Sequence, residues 1–407
     1  MQTDTEFDYE NFREEAFQIF WEELSPLEKR IETEERIPND EVFPILRRAG
    51  AFAMLIPREY GGLGLSVSQY VPLIAELAKV HGGIRALVHV HNSFAHAIAL
   101  LGDEQQRRDL LPPAARGEAS IAFGLTEPDS GSGVDTGTVA DRDGDDFLIT
   151  GRKWLITNSD FASHFIILAR TGQAAGRPVL SSLLVPRDAP GLTIIGLPET
   201  MGCKGGQHGM ITLDGVRVSQ QALLGGREGA GEQQLEKTLD LSRLLVAASS
   251  LGTAERALEL SVAHARARVT FGKPLSERQA IQRYLGEMAT DVNALRLMID
   301  DAARRADAQL PITAEASMCK LMGIDVVGRV TDRALLVQGG IGYTRAGSLE
   351  RLYRDARLNW LEEGPPTVHY LTIARTMIEQ AEDQPTVSGL GRDWLATVTV
   401  AEPGAIG

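Results

Sequence analysis

Ser120-Ile-Ala-Phe-Gly-Leu-Thr126, followed by Glu-Pro-Asp-Ser-Gly-Ser132, marks the point where the chain changes character. From Ala119 to about Glu232 the apolar residues come in short runs. After Ser120–Thr126 these are Phe147-Leu-Ile-Thr150, Phe165-Ile-Ile-Leu-Ala169, Ser181-Ser-Leu-Leu-Val185, Leu192-Thr-Ile-Ile-Gly196 and Met210-Ile-Thr-Leu213. Turn signals divide them, Asp143-Gly144 before the second run among them. Short runs separated by turns predict a sandwich or barrel, not an alternating βαβ sheet. No GxGxxG follows a run and opens a helix; in Gly131-Ser-Gly-Val-Asp-Thr-Gly137 the last glycine comes one position late. A Rossmann nicotinamide site and a P-loop are therefore disfavoured.

On either side the pattern is helical. Phe12, Ala16, Phe20 and Leu24 recur at i+4, and Val42–Ala53 and Val71–Leu101 continue that character around a Gly-rich loop at Pro57–Leu65. Downstream, Leu239–Ala267, Gln279–Ala308 and Ala314–Val337 predict three long helices, then the punctuation Gly339-Gly-Ile-Gly-Tyr343 and a basic stretch to Trp360. Periodicity is lost after Asp383. The reading is an α+β, mostly α chain: a helical domain over 1–118, a β domain over 119–232, a helical domain over 233–385 and a tail over 386–407.

With 407 residues the chain can bury large cores without a disulfide or metal staple. Its net charge of −14 argues against nucleic acid or an anionic membrane as partner. The two cysteines, Cys203 and Cys319, form no CxxC pair, which fits a reducing compartment. The acidic N-terminus reads as neither a secretory signal nor an Arg-rich transit peptide. No stretch approaches 18 uninterrupted apolar residues, so no membrane span is expected, and the expected location is cytoplasmic.

The loop Ala122–Ser132 offers backbone N–H groups and hydroxyls at close range, which suit a pyrophosphate or a flavin edge. By itself such a loop is more often only a turn. It is followed by Gly151-Arg-Lys-Trp-Leu-Ile-Thr157-Asn158, Leu239-Asp-Leu-Ser-Arg243 and Arg268-Val-Thr-Phe271-Gly272 with Gln279. Gly339-Gly-Ile-Gly-Tyr343 and Arg354…Glu363-Gly364 complete the series. In order and spacing the set resembles the acyl-CoA dehydrogenase family of flavoenzymes, over residues 8 to 380 or so. The resemblance implies an all-α N-terminal domain, a β-barrel middle domain and a C-terminal four-helix bundle. It also implies a homotetramer with FAD at domain and subunit junctions, an acyl-CoA or acyl carrier protein thioester as substrate, and an electron-transfer flavoprotein or similar acceptor.

The residue roles come from the same resemblance. Phe123, Leu125, Thr126, Gly131 and Ser132 would line the flavin, with Thr126 at the pyrimidine edge and Ser132 reaching the pyrophosphate and the thioester. Leu155 would pack on the ring and Thr157 would bond flavin N5. Arg268, Phe271 and Gln279 would hold the adenine and pyrophosphate half of FAD in a neighbouring subunit. Gln338, Gly339, Gly340, Gly342 and Thr367 would also meet FAD, and Asp240, Arg243 and Gly364 would lie by the acyl-CoA. Glu363 falls where the family keeps its base. It would take the α-proton while a hydride leaves the β-carbon, giving a trans-2-enoyl thioester. An α-proton of a thioester is weakly acidic, so a carboxylate and a polarised carbonyl are both needed. Burial in a closed site is expected to raise the pKa of that carboxylate. Ser242 stands where some members carry a second base, and it cannot serve as one.

The chain departs from the family pattern around the flavin: Glu362-Glu363-Gly364-Pro365-Pro366 replaces the usual Tyr-Glu-Gly-Thr, Leu336 replaces a glutamine, and Gly133 replaces an acid. An acyl-CoA oxidase, a non-oxidative flavin lyase and an inactive scaffold paralogue stay open as alternatives. His89, His91 and His96 read as packed histidines, since i and i+2 do not share a helix face, so no metal site is expected. Cys203 reads as a buried cysteine. Arg85, in Gly83-Ile-Arg85-Ala, resembles an arginine of glutaryl-CoA dehydrogenases that holds a substrate's far carboxylate. A second reading has it pointing outward or paired with an internal acid such as Glu76.

Overall fold

The computed structural model describes residues 7–131, 135–197, 199–206 and 208–382. The expectations for Ser132, Gly133 and the tail over 386–407 lie outside the described residues. The chain begins with α1 (Tyr9–Ile19), α2 (Glu28–Glu34), α3 (Asn39–Arg48), α4 (Val67–Val80), α5 (Gly82–Leu101) and α6 (Glu104–Ala115). Ala16, Phe20 and Leu24 are buried, as their i+4 spacing requires.

The apolar stretch Val71–Leu101, which reads as one run, is two helices. His81 is extended (φ −162°, ψ 126°), and its Nδ1 accepts hydrogen bonds from the backbone N–H of Gly83 (3.1 Å) and Ile84 (3.4 Å). A side chain thus caps the free donors at the start of α5. A Cβ on Gly83 would come within 2.1 Å of the Lys204 carbonyl oxygen, so α5 begins hard against the 203–206 loop. The break sets the direction of α5, the helix that carries Arg85 and His89.

The middle region is a mixed sheet: β1 (Ile121–Gly124), β2 (Val139–Asp143), β3 (Asp146–Thr157), β4 (His164–Ala174), β5 (Arg177–Pro186), β6 (Leu192–Gly196) and β7 (His208–Ser219). Among the described residues the order is β1-β4-β2-β3-β7-β6, with β5 paired to β4. β1 lies parallel to β4 with Ile121 opposite His164; β3 and β7 are antiparallel. Phe147, Phe165, Leu183 and Leu213, from β3, β4, β5 and β7, share one buried cluster, so the sheet curls over its own core. The outer faces of β1, β4 and β5 pack through Ile121, Ile166 and Leu184 onto Phe94 and Ile98 of α5. Burial on both faces explains the unbroken apolar runs in β4 and β5. β2 carries few apolar residues, so no apolar run marks it in the sequence.

The last part is α7 (Gly231–Ala267), α8 (Gln279–Asp307), α9 (Thr313–Gln338), α10 (Leu349–Ala356) and α11 (Pro366–Glu382). α9 packs against α7, α8 and α11. The N- and C-terminal helices share one core rather than two, with Leu73 and Leu77 of α4 among Leu244, Leu251 and Val326. Gly252 of α7 makes this possible: a Cβ there would sit 1.9 Å from the Ala75 carbonyl oxygen.

Candidate active site

Four helices converge on the loop between α10 and α11. Arg85 and His89 lie four residues apart on α5 and so project from the same face. α7 brings Ser242, Arg243 and Ser250, α9 brings Lys320, and α11 brings His369. In the loop Glu363 has φ +57° and Gly364 φ +99°. A left-handed glutamate is a costly conformation that the surroundings must impose.

The two adjacent carboxylates diverge. Glu362 turns to Arg85, whose Nη1 lies 3.1 Å from Oε1 and 3.2 Å from Oε2. Arg85 Nη2 also donates to Asn359 Oδ1 (3.2 Å), and Asn359 Nδ2 donates to Ser250 Oγ (2.7 Å). Arg85 is only 2% exposed. It neither points outward nor pairs with Glu76, which instead accepts from Trp21 Nε1 (2.6 Å) and contacts Lys79. Nor is it a free cation awaiting an anion, because the chain supplies the carboxylate itself.

Glu363 turns to α7 and α5. Ser242 Oγ donates to Glu363 Oε1 at 2.6 Å, His89 Nε2 lies 3.0 Å from Ser242 Oγ, and His89 Nε2 lies 3.7 Å from Glu363 Oε1. Arg243 Nε donates to the Glu363 carbonyl at 3.4 Å. Burial pushes the Glu363 carboxyl up. The nearby donors of His89 and Ser242, with the charge of Arg243, outweigh that and hold it below the ordinary carboxylate value. The raised pKa expected for this carboxyl is therefore not found, because polar partners outweigh burial.

Lys320, fully buried, donates to the carbonyls of Glu362 (2.8 Å) and Gly364 (3.0 Å), and burial lowers its pKa to about 8. His369 Nε2 lies 3.1 Å from the same Gly364 oxygen. The loop is thus tied down from α9 and α11. Pro366 is the first residue of α11, where a missing N–H is tolerated, which accounts locally for the Pro365-Pro366 departure. Asp240 accepts from Thr313 Oγ1 (2.6 Å) and contacts Arg243 (3.5 Å), and burial raises its pKa.

A second group lies on the sheet. The Trp154 N–H donates to the Thr126 carbonyl (2.7 Å), which ties the chain just after β1 to β3. The next residue, Leu155, has φ +58°, interrupts the pairing of β3 with β7 and leaves its side chain 49% exposed. Thr157 Oγ1 lies 3.0 Å from His208 Nδ1. Lys153 and Glu127 (2.9 Å) pin the loop beneath, and Glu127 also accepts from Thr136 and Thr138. Leu125 joins the same anchor through its carbonyl and Lys153 Nζ (3.1 Å), while Gly131 has open space around it. Phe123 stacks on Phe94 at 4.8 Å.

A third group stands apart. Arg268 follows the last residue of α7, 26 residues beyond Ser242, or about 39 Å of helix at 1.5 Å per residue. Arg268 and Gln279 are exposed, as is Phe271, at 98% and φ +49°. Gly339 and Gly340, just past α9, have no atom within 4 Å of an added Cβ, whereas Gly342 is buried. Gln338 is half-buried and Thr367 exposed.

Residues 6–118, 122–216 and 229–378 match the models of the acyl-CoA dehydrogenase N-terminal, middle and C-terminal domains. The chain belongs to the acyl-CoA dehydrogenase family. It is 35% identical to probable acyl-CoA dehydrogenase YngJ of Bacillus subtilis over 88% of this chain and 94% of that protein. Butyryl-CoA dehydrogenase of Megasphaera elsdenii superimposes with a TM-score of 0.87 at 28% identity, covering 93% of this chain and all of that one. Glutaryl-CoA dehydrogenase of Mycobacterium smegmatis in complex with FADH2 gives 0.85 at 28% identity, covering 92% and 96%.

An acyl-CoA dehydrogenase is a flavin oxidoreductase that uses FAD, and the chain fits that group. The Thr126–Leu155–Thr157 ridge combines an exposed apolar side chain with two hydroxyls, the donor set a polar-edged planar ring needs. Sequence reasoning missed His89, Lys320, Asn359 and Glu362 as members of the site. The i, i+4 spacing of Arg85 and His89 could have linked those two; for Lys320 the one signal is a lone cation inside the apolar run Met318–Ile324. No helix among the described residues is long and apolar enough to cross a membrane.

Proposed function

We propose that the protein dehydrogenates an acyl-CoA thioester between Cα and Cβ to the trans-2-enoyl thioester, with Glu363 as the base. The observation that carries this is the Glu363 carboxylate: almost buried, held ionised by its neighbours, and presented by a loop clamped from two helices. Its Oε1 is occupied by Ser242, and no hydrogen bond to Oε2 is present among the described residues, which leaves Oε2 to receive the α-proton. FAD, when bound, supplies the acceptor for the β-hydrogen. Thr126, Leu155 and Thr157 would hold the ring, while Asp240, Arg243 and the Gly364 backbone flank the thioester.

The distance along α7 supports assigning Arg268, Phe271 and Gln279 to the FAD of a neighbouring subunit, in a homotetramer. Electrons would pass on to an electron-transfer flavoprotein or similar carrier. The internal Arg85–Glu362 pair supports an uncharged acyl chain over a dicarboxylic one.

Anaerobic mixing with butyryl-CoA tests this. The wild type is expected to bleach its flavin. Glu363→Gln should keep FAD and bind the thioester yet reduce flavin about 10³-fold more slowly. Bleaching at the normal rate would remove Glu363 as base. Preference for glutaryl-CoA over butyryl-CoA would show that Glu362 yields Arg85 to a substrate carboxylate.

A further inference from the structure

Three groups in close mutual contact, the buried His89 and Ser242 and the nearly buried Glu363, stand on three separate segments of the chain. Ser242 has one hydroxyl hydrogen. At 2.6 Å from Glu363 Oε1 that hydrogen belongs to the carboxylate, so towards His89 Nε2 the Ser242 oxygen can only accept. This fixes the tautomer: His89 carries its hydrogen on Nε2. The Nδ1 atom, buried and without a hydrogen-bond partner among the described residues, is left as the lone-pair nitrogen. Both His89 and Ser242 are buried, so no water competes for these bonds.

We propose that His89 and Ser242 are positioning residues for the base: His89 orients the Ser242 hydroxyl, and that hydroxyl locks Glu363 Oε1 and stabilises the carboxylate over the acid. This rests on the reading of Glu363 as base and adds to it the device that keeps the base ionised. A hydroxyl donor favours the charged form of a carboxyl, and a donor behind it polarises the hydroxyl further. Pinning one oxygen also fixes the direction of the other, which a proton transfer from carbon requires. The other titratable groups around Glu363 are Arg243 of α7, with Asp240 beside it, Lys320 of α9, His369 of α11 and Glu362 in its own loop. None of them donates a hydrogen bond to its carboxylate oxygens among the described residues, so the His89–Ser242 pair is the direct contact. Its sequence signature is modest: a histidine one turn beyond Arg85, and a serine where some relatives carry a second base.

The test uses the FAD-loaded enzyme and two readouts. Infrared titration without substrate, with Glu363→Gln as the reference that removes the band, follows the Glu363 carboxyl directly. Stopped-flow reduction by butyryl-CoA follows the acid limb of the rate. Ser242→Ala and His89→Leu should move both the carboxyl titration and the acid limb upward by about one pH unit, a tenfold loss of ionised base at acid pH. His89→Gln, whose amide can donate from nearly the same place, should return most of the shift. FAD content and thermal midpoint near those of the wild type identify variants that remain folded. Should a variant not fold, Ser242→Thr, which keeps the hydroxyl, should titrate as the wild type does. An unshifted carboxyl titration in Ser242→Ala overturns the proposal. If instead the titration shifts but Glu363→Gln still reduces flavin at the normal rate, the base assignment fails while the contact stands.

Discussion

At Arg85 and Glu362 a single contact changes how a residue is read. In sequence, an arginine inside an apolar helix asks for an anion, and nothing local says whether substrate or protein provides it. The answer lies 277 residues away, in a glutamate that stands where the family usually has a tyrosine. Breaking a buried pair is costly because the partner is left charged and dry. Arg85→Met is therefore expected to lower stability by about 3 kcal/mol or more, and adding Glu362→Met to return most of it; urea unfolding of the two variants measures both. Lys320 follows the same logic with backbone carbonyls as partners. Lys320→Met should free the Glu362–Gly364 loop, cost about 1–3 kcal/mol, and slow flavin reduction while leaving FAD bound. Equal rates in wild type and variant would show that the clamp does not serve the base.

At the scale of elements, periodicity was a good guide wherever one face of a helix or strand meets the core. The expected Gln279–Ala308 and Ala314–Val337 correspond to α8 and α9 within a residue or two. It failed where the partner was not apolar. β2 pairs along its length with β3 while exposing much of its surface, so its burial carries little signal. The α4–α5 break leaves little mark in the sequence because both sides are apolar and the capping residue is a histidine, not one of the usual serine, threonine, asparagine or aspartate caps. His81 also approaches Glu32 (3.5 Å), so it joins α5 to α2. His81→Ala should cost about 1 kcal/mol from the lost cap, and hydrogen exchange should quicken first at Gly83 and Ile84.

Across the whole molecule, acid stability depends on a few half-buried carboxylates that bridge distant segments. Glu32 meets Arg354 of α10 and His81, the cap of α5, and Glu127 meets Lys153; in each case burial alone would raise the pKa, but the partners bring it down to about 2. A folded-state pKa below the unfolded one means stability that is present above about pH 4.5 and lost as pH falls toward 2. Solvent screens both pairs, since neither carboxylate is fully buried, and each contributes about 1–2 kcal/mol. The melting temperature should be level above that range and fall steeply within it, and Glu32→Gln should lower the neutral plateau and flatten the acid slope. Arg268→Ala tests the assembly: FAD retention and tetramer content should fall together in sedimentation, whereas a monomer holding FAD stoichiometrically would contradict the shared site.

The sequence alone determined the order of helical, β and helical regions, because apolar spacing reports which face of each element is buried. It also placed Glu363, Thr126, Thr157 and Arg268 in motifs whose order resembles one family, since those motifs are local and nearly contiguous. Only the tertiary structure decided the pairings: Arg85 with Glu362, Ser242 with Glu363, Lys320 with two loop carbonyls, and α4 against α7 in a single shared core. Each of these joins residues far apart in the chain through directional contacts of a few ångströms, and one-dimensional spacing carries no record of which buried polar group will meet which.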